Sequence, residues 1–247
     1  MKKTFFNLKV VLIEPNGPLN VGSIARLCSN FEVNELRIVS PNCDIFSTEA
    51  RKMALKGQVY IDKCKVFKNL GEALSDCDLV LATCGRIDNC KNTSYESPQE
   101  ISKWISKFKD IKNLAVLFGR EDRGLSNNEL LFAHKVFSIK TSPEYPSLNL
   151  SHAVSIILYE INKFSDDSLI KEKRIFNLAS SNQIYESFVE IEELLIRTGY
   201  LLNHTSKAKI TKFKKYILRA ETSEEEMNIL RGIVNQINWF INNSKDD

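Results

Sequence analysis

The stretch 141–160, TSPEYPSLNLSHAVSIILYE, joins a polar loop to an amphipathic helix. Pro143 and Pro146 fix the backbone angle φ, remove two hydrogen-bond donors and disfavour helix at the residue before each, which predicts an irregular loop. Ser147 or Asn149 can then cap the helix. The apolar residues that follow recur at the three- and four-residue spacing of one buried helical face: Leu150, Ala153, Val154, Ile157, Leu158 and Ile161. A loop rich in backbone donors at a helix N-terminus suits a polar or anionic ligand, and an ordinary loop and cap is the alternative.

Up to residue 163, short apolar runs alternate with longer segments of helical periodicity. The predicted strands cover 8–13, 35–39, 78–82, 113–118 and 135–140. The predicted helices cover 20–31, 49–57, 69–76, 97–108, 126–133 and 148–163. Short β-branched runs separated by helices of this length are typical of an α/β domain in which helices cover both faces of a parallel sheet.

The pattern changes at the polar segment 164–168, FSDDS, beyond which every segment is helical. The predicted helices of this part cover 168–200 with an interruption near Ser180 and Ser181, 206–220 and 223–242. Thr222 and Ser223 stand three residues before glutamates, which is the spacing of a capping box at a helix start. The sequence therefore predicts an α/β domain over residues 1–164, followed by a small all-helical extension over residues 165–247.

The composition is that of a globular protein, with 247 residues, 43% hydrophobic and 26% charged, and a net charge of +3. No apolar run approaches the roughly 18 residues of a membrane span, and the N-terminus has no signal-peptide cleavage pattern, which predicts a cytoplasmic protein. The six cysteines form no C-x-x-C pair and the three histidines are far apart in the sequence. We therefore expect reduced cysteines and no metal site.

Four loops that follow predicted strands are chemically unusual, and ligands of an open parallel sheet bind beyond the carboxyl ends of its strands. They are EPNGPLN at 14–20, TCGR at 83–86, GREDRG at 119–124 and the proline loop described above. Asn20, at the end of the first loop, is a natural helix cap. The first and third loops match neither the P-loop nor the G-x-G-x-x-G pattern, and no nucleophile–base–acid set is apparent. What remains is a glycine-lined pocket with Arg26, Arg86 and Glu121 around it, which suits a small organic cofactor and an anionic polymer.

Three segments resemble the ordered motifs of the SpoU branch of the SPOUT RNA methyltransferases: NVGSIARLC at 20–28, FGREDRGL at 118–125 and SLNLSHAVSIILYE at 147–160. Each segment has eight residues or more and the order is that of the family, so coincidence is a poor explanation. The TCGR segment and the helical tail resemble the TrmJ-like subgroup, which methylates the ribose 2′-hydroxyl of a nucleotide in the tRNA anticodon loop. The resemblance covers the first 163 residues well and the tail in outline.

The resemblance implies a deep trefoil knot in the later half of the α/β domain, which composition and periodicity do not predict. It also implies S-adenosylmethionine as the cofactor and a homodimer whose active site draws residues from both subunits. The cofactor-binding residues that it implies come from four segments: Thr83, Cys84, Gly85, Gly119, Ile139, Ser147 and Leu148, with Asn149 beside them.

In the family, the arginine that matches Arg26 is catalytic. Because arginine is almost always protonated, a phosphate clamp or a polarising contact to the hydroxyl suits Arg26 better than the role of a base. The resemblance implies that Asn20, Glu121 and Asn149 orient Arg26. The reaction further needs the methyl group and the ribose oxygen held in line, and that proximity effect can supply on the order of 7–11 kcal/mol.

A run of cations without intervening acids lies in the tail: Lys207, Lys209, Lys212, Lys214, Lys215 and Arg219. Such a stripe suits an RNA phosphate backbone, and a merely solvated helix face is the alternative. We expect Arg86, Lys209, Lys212 and Lys215 to bind RNA. The TrmJ-like subgroup usually has a second arginine where this sequence has Asp88, which predicts altered RNA contacts there.

The leading hypothesis is a tRNA ribose 2′-O-methyltransferase that needs no metal. The same chemistry on ribosomal RNA is an alternative that the motifs leave open. A non-catalytic RNA-binding protein of this fold is a third reading, and the presence of Asn20, Arg26, Glu121, Ser147 and Asn149 disfavours it.

Overall fold

A single parallel sheet organises the first part of the chain in the computed structural model, which describes residues 6–85, 95–108, 111–163 and 177–243. The sheet has seven strands in the order β3-β2-β1-β6-β4-β7-β5, and every neighbouring pair is parallel. The strands are β1 Asn7–Ile13, β2 Glu35–Val39, β3 Lys65–Phe67, β4 Leu79–Thr83, β5 Tyr95–Glu96, β6 Asn113–Phe118 and β7 Lys135–Phe137. β1 and β6 lie side by side near the centre of the sheet, where both of their faces are buried, and their largely apolar sequences suit that position.

Helices cover both faces of this sheet. They are α1 Pro18–Asn30, α2 Thr48–Ala54, α3 Gln58–Asp62, α4 Leu70–Leu74, α5 Ile101–Ile105, α6 Asn127–Leu130 and α7 Leu150–Asn162. One face packs against α1, α2, α3, α5 and α7, and the other face packs against α4 and α6. The predicted α/β class with a helical extension is therefore confirmed.

Several boundaries differ from the prediction, and two of the differences have a clear local reason. The helix predicted over 49–57 is broken at Leu55, whose φ of 49° ends α2 before a 3-10 turn and α3. The break brings Gly57 against α1, where an added Cβ would stand 2.4 Å from the carbonyl oxygen of Ala25. The strand predicted over 135–140 ends at Phe137, because the chain leaves the sheet there towards the proline loop.

The helical extension comprises α8 Ser181–Arg197, α9 Ser206–Arg219 and α10 Glu224–Asn243, which bury a core of their own. The expected interruption near Ser180 is the start of α8, which Ser180 caps. The extension contacts the α/β part through His134, whose Nδ1 accepts from the backbone N–H of Val80 and whose Nε2 lies 2.9 Å from the carbonyl oxygen of Ala179. The predicted domain boundary at residue 164 lies outside the described residues. None of the described helices is long and apolar enough to cross a bilayer.

A cluster of charged side chains joins β1 and β2 to the turn after α4. Lys9 and Arg37 are only 4% and 3% exposed, and both hold the carboxylate of Asp76. Arg37 donates to both oxygens of Asp76 at 2.7 and 2.9 Å, and Lys9 donates at 2.6 Å. Glu35 completes the cluster by accepting from Arg37 at 2.8 Å. The hydrogen bonds from Arg37 and then from Lys9 hold the pKa of Asp76 well below its ordinary value of 3.8.

Replacing Asp76 with asparagine should lower the free energy of unfolding by about 1–3 kcal/mol, because Lys9 then keeps a buried charge without an acid partner. Asp76 stays deprotonated in the folded protein at a pH where the unfolded chain binds the proton. The contribution of Asp76 to the free energy of unfolding is therefore complete above pH 3.8. It is lost as the pH falls further below that value. Denaturant unfolding along an acid series should show a steeper loss in the wild type than in Asp76→Asn. Parallel losses in both proteins would refute this role.

Candidate active site

The loops after β4, β6 and β7 meet at one edge because these strands are neighbours in the sheet. A cavity opens there, and the seven residues that the resemblance implied for the cofactor all line it: Thr83, Cys84, Gly85, Gly119, Ile139, Ser147 and Leu148. The side chains of Leu125, Leu150 and Ala153 add apolar wall. Residues from these three loops thus meet at one place, because β6, β4 and β7 are neighbours in the sheet.

Gly119 allows the tight turn at the end of β6. A Cβ at this position would stand 2.2 Å from the carbonyl carbon of Gly124 and 2.3 Å from the backbone nitrogen of Leu125. Arg120 and Gly124 pair as an isolated bridge, with the N–H of Gly124 donating to the carbonyl of Arg120 at 2.8 Å. The loop GREDRG therefore folds back on itself directly beside the cavity.

Glu121 connects this loop to the start of α1. Its carboxylate accepts from the backbone N–H of Asn16 at 2.9 Å, from that of Gly17 at 3.1 Å and from Nδ2 of Asn20 at 3.0 Å. A carboxylate at the N-terminus of a helix satisfies donors that have no partner within the helix and is favoured by the helix dipole. Glu121 is therefore the acceptor that orders the first loop.

Asn20 does not cap α1, contrary to the expectation. The helix starts earlier, at Pro18, whose fixed φ suits the first helical position, and Gly17 occupies the cap. The side chain of Asn20 instead bridges two loops, donating to Glu121 and accepting from Nδ2 of Asn149 at 3.1 Å. Asn149, rather than Ser147, caps α7 by accepting from the N–H of Ser151 at 2.8 Å.

A second, open cavity of about 490 Å³ adjoins the first across these side chains. Asn20 and Asn149 are in its wall, while their partner Glu121 is in the wall of the first cavity. The rest of its wall consists of Gly17, four polar or charged side chains and three apolar ones: Ser23, Glu49, Ser151, His152, Pro18, Leu19 and Met53. Three predicted catalytic residues therefore form a hydrogen-bonded partition between two cavities.

Arg26 lies apart from this partition. It is exposed on α1, two turns beyond the start of the helix, and its side chain makes no hydrogen bond or ion pair with any of the described residues. Arg86 and Asp88 lie outside the described residues, so their predicted roles stay predictions.

Sequence reasoning missed Glu14, which follows β1 with a φ of 48°. Its Oε2 accepts from Arg123 at 3.0 Å and from Arg120 at 3.3 Å. Arg120 also pairs with Asp122 at 2.6 Å, and Arg123 pairs with Glu129 at 2.9 Å. Two of the four charges in GREDRG are thus held by an acid more than a hundred residues earlier in the chain. The signal in the sequence that could have identified Glu14 is an acidic residue directly after a buried strand.

Replacing Glu121 with glutamine should reduce the methyl transfer that the resemblance implies and should loosen the first loop. An amide has one acceptor oxygen, so its NH₂ group must face a backbone donor, and each hydrogen bond that is broken costs about 0.5–1.5 kcal/mol. The expected result is a lower midpoint of thermal unfolding and faster hydrogen exchange at Asn16 and Gly17. Glu144→Gln makes the same charge change on an exposed loop residue and should leave both unchanged. Equal behaviour of the two variants would argue against the role of Glu121.

The predicted RNA-binding lysines lie on α9, where Lys209 and Lys212 are exposed and Lys215 is half-buried. Lys214 does not belong to this exposed stripe, contrary to the sequence analysis. It is 6% exposed, and its Nζ lies 4.9 Å from the ring centroid of Phe132 and 5.4 Å from that of Tyr185. Burial lowers the pKa of Lys214 to about 8. Lys214 therefore joins the tail to the α/β domain.

Cysteine chemistry differs from the expectation at one position. Cys28, Cys43, Cys64 and Cys77 are free, whereas Cys84 is disulfide-bonded. Burial raises the pKa of Cys77 to about 12, so its thiol stays protonated. Among the described residues, no group of three or more His, Cys, Asp or Glu side chains is arranged to hold a metal ion.

Comparison with known proteins is consistent along the whole chain. The model of the SpoU rRNA Methylase family matches residues 7–159, and that of the tRNA methyltransferase TrmJ C-terminal domain matches residues 182–246. The tRNA (cytidine-2′-O-)-methyltransferase TrmJ of Methanocaldococcus jannaschii is 38% identical over 77% of this chain and 78% of its own length. The corresponding TrmJ of Sulfolobus acidocaldarius is 32% identical over 90% of this chain and 99% of its own.

Solved structures agree on the fold. The crystal structure of TrmJ from Z. mobilis ZM4 superposes with a TM-score of 0.79 and 23% identity, covering 93% of this chain and 98% of that one. The two family models and the fold thus agree with one another over both parts of the chain. The chain therefore belongs to the SpoU methylase family and carries a C-terminal domain of the TrmJ type.

Proposed function

We propose that this protein transfers a methyl group from S-adenosylmethionine to the ribose 2′-hydroxyl of a tRNA nucleotide, in the anticodon loop. The observation that carries the proposal is the partition of Asn20, Glu121 and Asn149 between two cavities. The TrmJ relatives, whose names state tRNA 2′-O-methylation, support the substrate class.

The first cavity suits the cofactor. Gly85 has no atom within 4 Å of where a Cβ would stand, which leaves room for a ligand against the backbone. Leu125, Ile139 and Leu148 supply apolar surface for a flat heterocycle, and Ser147 supplies a hydroxyl. The bound cofactor would supply the electrophilic methyl group on its sulfonium sulfur.

The second cavity suits the target nucleotide, with its ribose against the partition. The amides of Asn20 and Asn149 are fixed by hydrogen bonds at 3.0 and 3.1 Å, so they orient the ribose without reorganising. Arg26 clamps the neighbouring phosphate or polarises the hydroxyl, since its guanidinium is free of intramolecular partners in the described part of the chain. Lys209, Lys212 and Lys215 bind the RNA backbone beyond the site, together with Arg86.

A homodimer is part of the proposal. Large apolar side chains are exposed on α1, on α2 and the turn after it, and on α7: Leu19, Met53, Leu55, Ile156 and Tyr159. Leu19 and Met53 also line the second cavity. A second subunit on this face would cover them and add residues to the nucleotide cavity. Sedimentation equilibrium should give twice the chain mass of 28.3 kDa. A single-chain mass at micromolar concentration would contradict the dimer.

The biological test is mass spectrometric mapping of ribose methylation in total RNA from cells with and without the protein. We expect one 2′-O-methylated tRNA nucleotide to disappear and ribosomal RNA to be unchanged. Loss of a ribosomal 2′-O-methyl group instead would favour the second candidate, an rRNA methyltransferase, which the name of the matching family keeps open. The cytoplasmic location expected from the sequence accords with either RNA.

A further inference from the structure

A third cavity, of about 190 Å³, lies where α9 of the tail meets the segment between α6 and β7. It shares no lining residue with the two cavities of the candidate site. One wall comes from the helical extension and the other from the α/β domain, so a ligand in it would touch both parts of the chain.

Three cations of α9 face this cavity: Lys212, Lys215 and Arg219. Their spacing of three and four residues places them on one side of the helix, over a length of about 10 Å. Lys212 and Lys215 make no ion pair within the described residues, and the guanidinium of Arg219 contacts only the ring of Tyr216, at 5.8 Å. This side of α9 therefore carries positive charge that the described protein does not neutralise.

The other ion-paired residues of the cavity wall do not offset that charge. Lys135 and Glu221 both line the cavity and lie 3.7 Å apart, and Lys135 also pairs with Glu96 at 2.6 Å. The carboxylate of Glu221 further accepts from Nε1 of Trp104 at 2.8 Å. These groups compensate one another, which leaves the α9 cations to attract an anion.

The wall also contains an aromatic ring. Tyr216 is 58% exposed and stands between the cations, with the guanidinium of Arg219 over it. Unpaired cations beside an exposed aromatic ring bind a nucleic-acid strand, in which phosphates alternate with stackable bases. A cation set that extends along the helix exceeds what a single small anion needs.

We propose that this cleft binds the RNA backbone, with Lys212, Lys215 and Arg219 on phosphates and Tyr216 against a base or ribose. The inference rests on the proposed function, because it takes RNA as the substrate. It adds Arg219 and Tyr216 to the RNA-binding residues and makes the tail and the α/β domain one continuous binding surface. Lys209 is outside the cleft, with its Nζ 5.3 Å from the ring of Tyr200.

The test measures binding of bulk tRNA to the full-length protein by fluorescence anisotropy over a salt series. In the triple variant Lys212→Gln/Lys215→Gln/Arg219→Gln, the slope of log affinity against log salt should fall by about 0.7–0.9 for each phosphate that the variant no longer binds. Tyr216→Ala should weaken binding with the slope unchanged, since stacking releases no counterions. The matched control Lys56→Gln/Lys63→Gln/Lys68→Gln removes the same charge from exposed positions of the α/β domain and should change the slope less.

Affinity for S-adenosylmethionine and the thermal midpoint should stay at wild-type values in all variants, which separates RNA binding from cofactor binding and folding. Equal slopes in the triple variant and its control, in a wild type that binds and methylates tRNA, would overturn the cleft alone. Saturable binding of inorganic phosphate that the triple variant loses while tRNA binding persists would overturn it in favour of a small-anion site. A wild type that binds no tRNA would overturn both the cleft and the proposed function.

Discussion

Replacing Arg26 with alanine should remove nearly all methyl transfer and leave the affinity for S-adenosylmethionine close to that of the wild type. Arg26 does not line the cavity that suits the cofactor. Its charge is exposed on α1 and is free to meet RNA. A positioned group that assists removal of the hydroxyl proton typically contributes about 10²–10⁴-fold to the rate.

Lysine at position 26 tests what the guanidinium does. A planar fork donates two parallel hydrogen bonds to a phosphate, whereas an ammonium group is a point charge. Arg26→Lys should therefore recover only a small part of the activity, with tRNA binding nearly restored. Isothermal titration with the cofactor and single-turnover kinetics with tRNA separate the two quantities. If Arg26→Ala abolished cofactor binding outright, the assignment of Arg26 to the RNA side would be wrong.

Replacing Gly119 with alanine should abolish cofactor binding and destabilise the fold. The added methyl group would stand 2.2–2.4 Å from atoms of Gly124 and Leu125, all of them backbone, so no side chain can turn away. Overpacking of this kind costs about 1–3 kcal/mol or more. In a chain of this size each kcal/mol lowers the thermal midpoint by about 2–4 °C.

Gly85→Ala is the matched control, because it makes the same chemical change in a different loop of the same cavity. No atom lies within 4 Å of the Cβ that alanine would add there. Its thermal midpoint should equal that of the wild type, even where the methyl group narrows the cavity. If Gly119→Ala kept both the wild-type midpoint and its cofactor affinity, the tight turn after β6 would not be needed for the site.

Burial decides which strands the sequence predicted well. The predicted bounds of β2 and β6 agree with the structure, because all but the first residue of each strand is buried. β3 and β5 were missed, because both are short strands at the two edges of the sheet and β3 is largely exposed. A short, exposed edge strand has neither an apolar run nor a regular alternation to predict it.

The parts of the site that lie within short segments of the chain could be predicted from the sequence. The motif segments and the TCGR segment contained most of the residues around the first cavity, and the strand order brought them together. The contact between Glu121 and the first loop, and the anchoring of two arginines by Glu14, join residues about a hundred positions apart. Such pairs depend on the order in which the strands lie in the sheet. No periodicity in the sequence predicts that order. The trefoil knot, for the same reason, stays an implication of the resemblance.

The most direct measurement of the central claim uses the purified protein, bulk tRNA and S-adenosylmethionine with a labelled methyl group. After nuclease digestion, mass spectrometry identifies the nucleoside that carries the label. The account predicts a single labelled 2′-O-methyl nucleoside from the anticodon loop, absent with Arg26→Ala. Label on a base, or no label on tRNA from a protein that binds the cofactor, would contradict it.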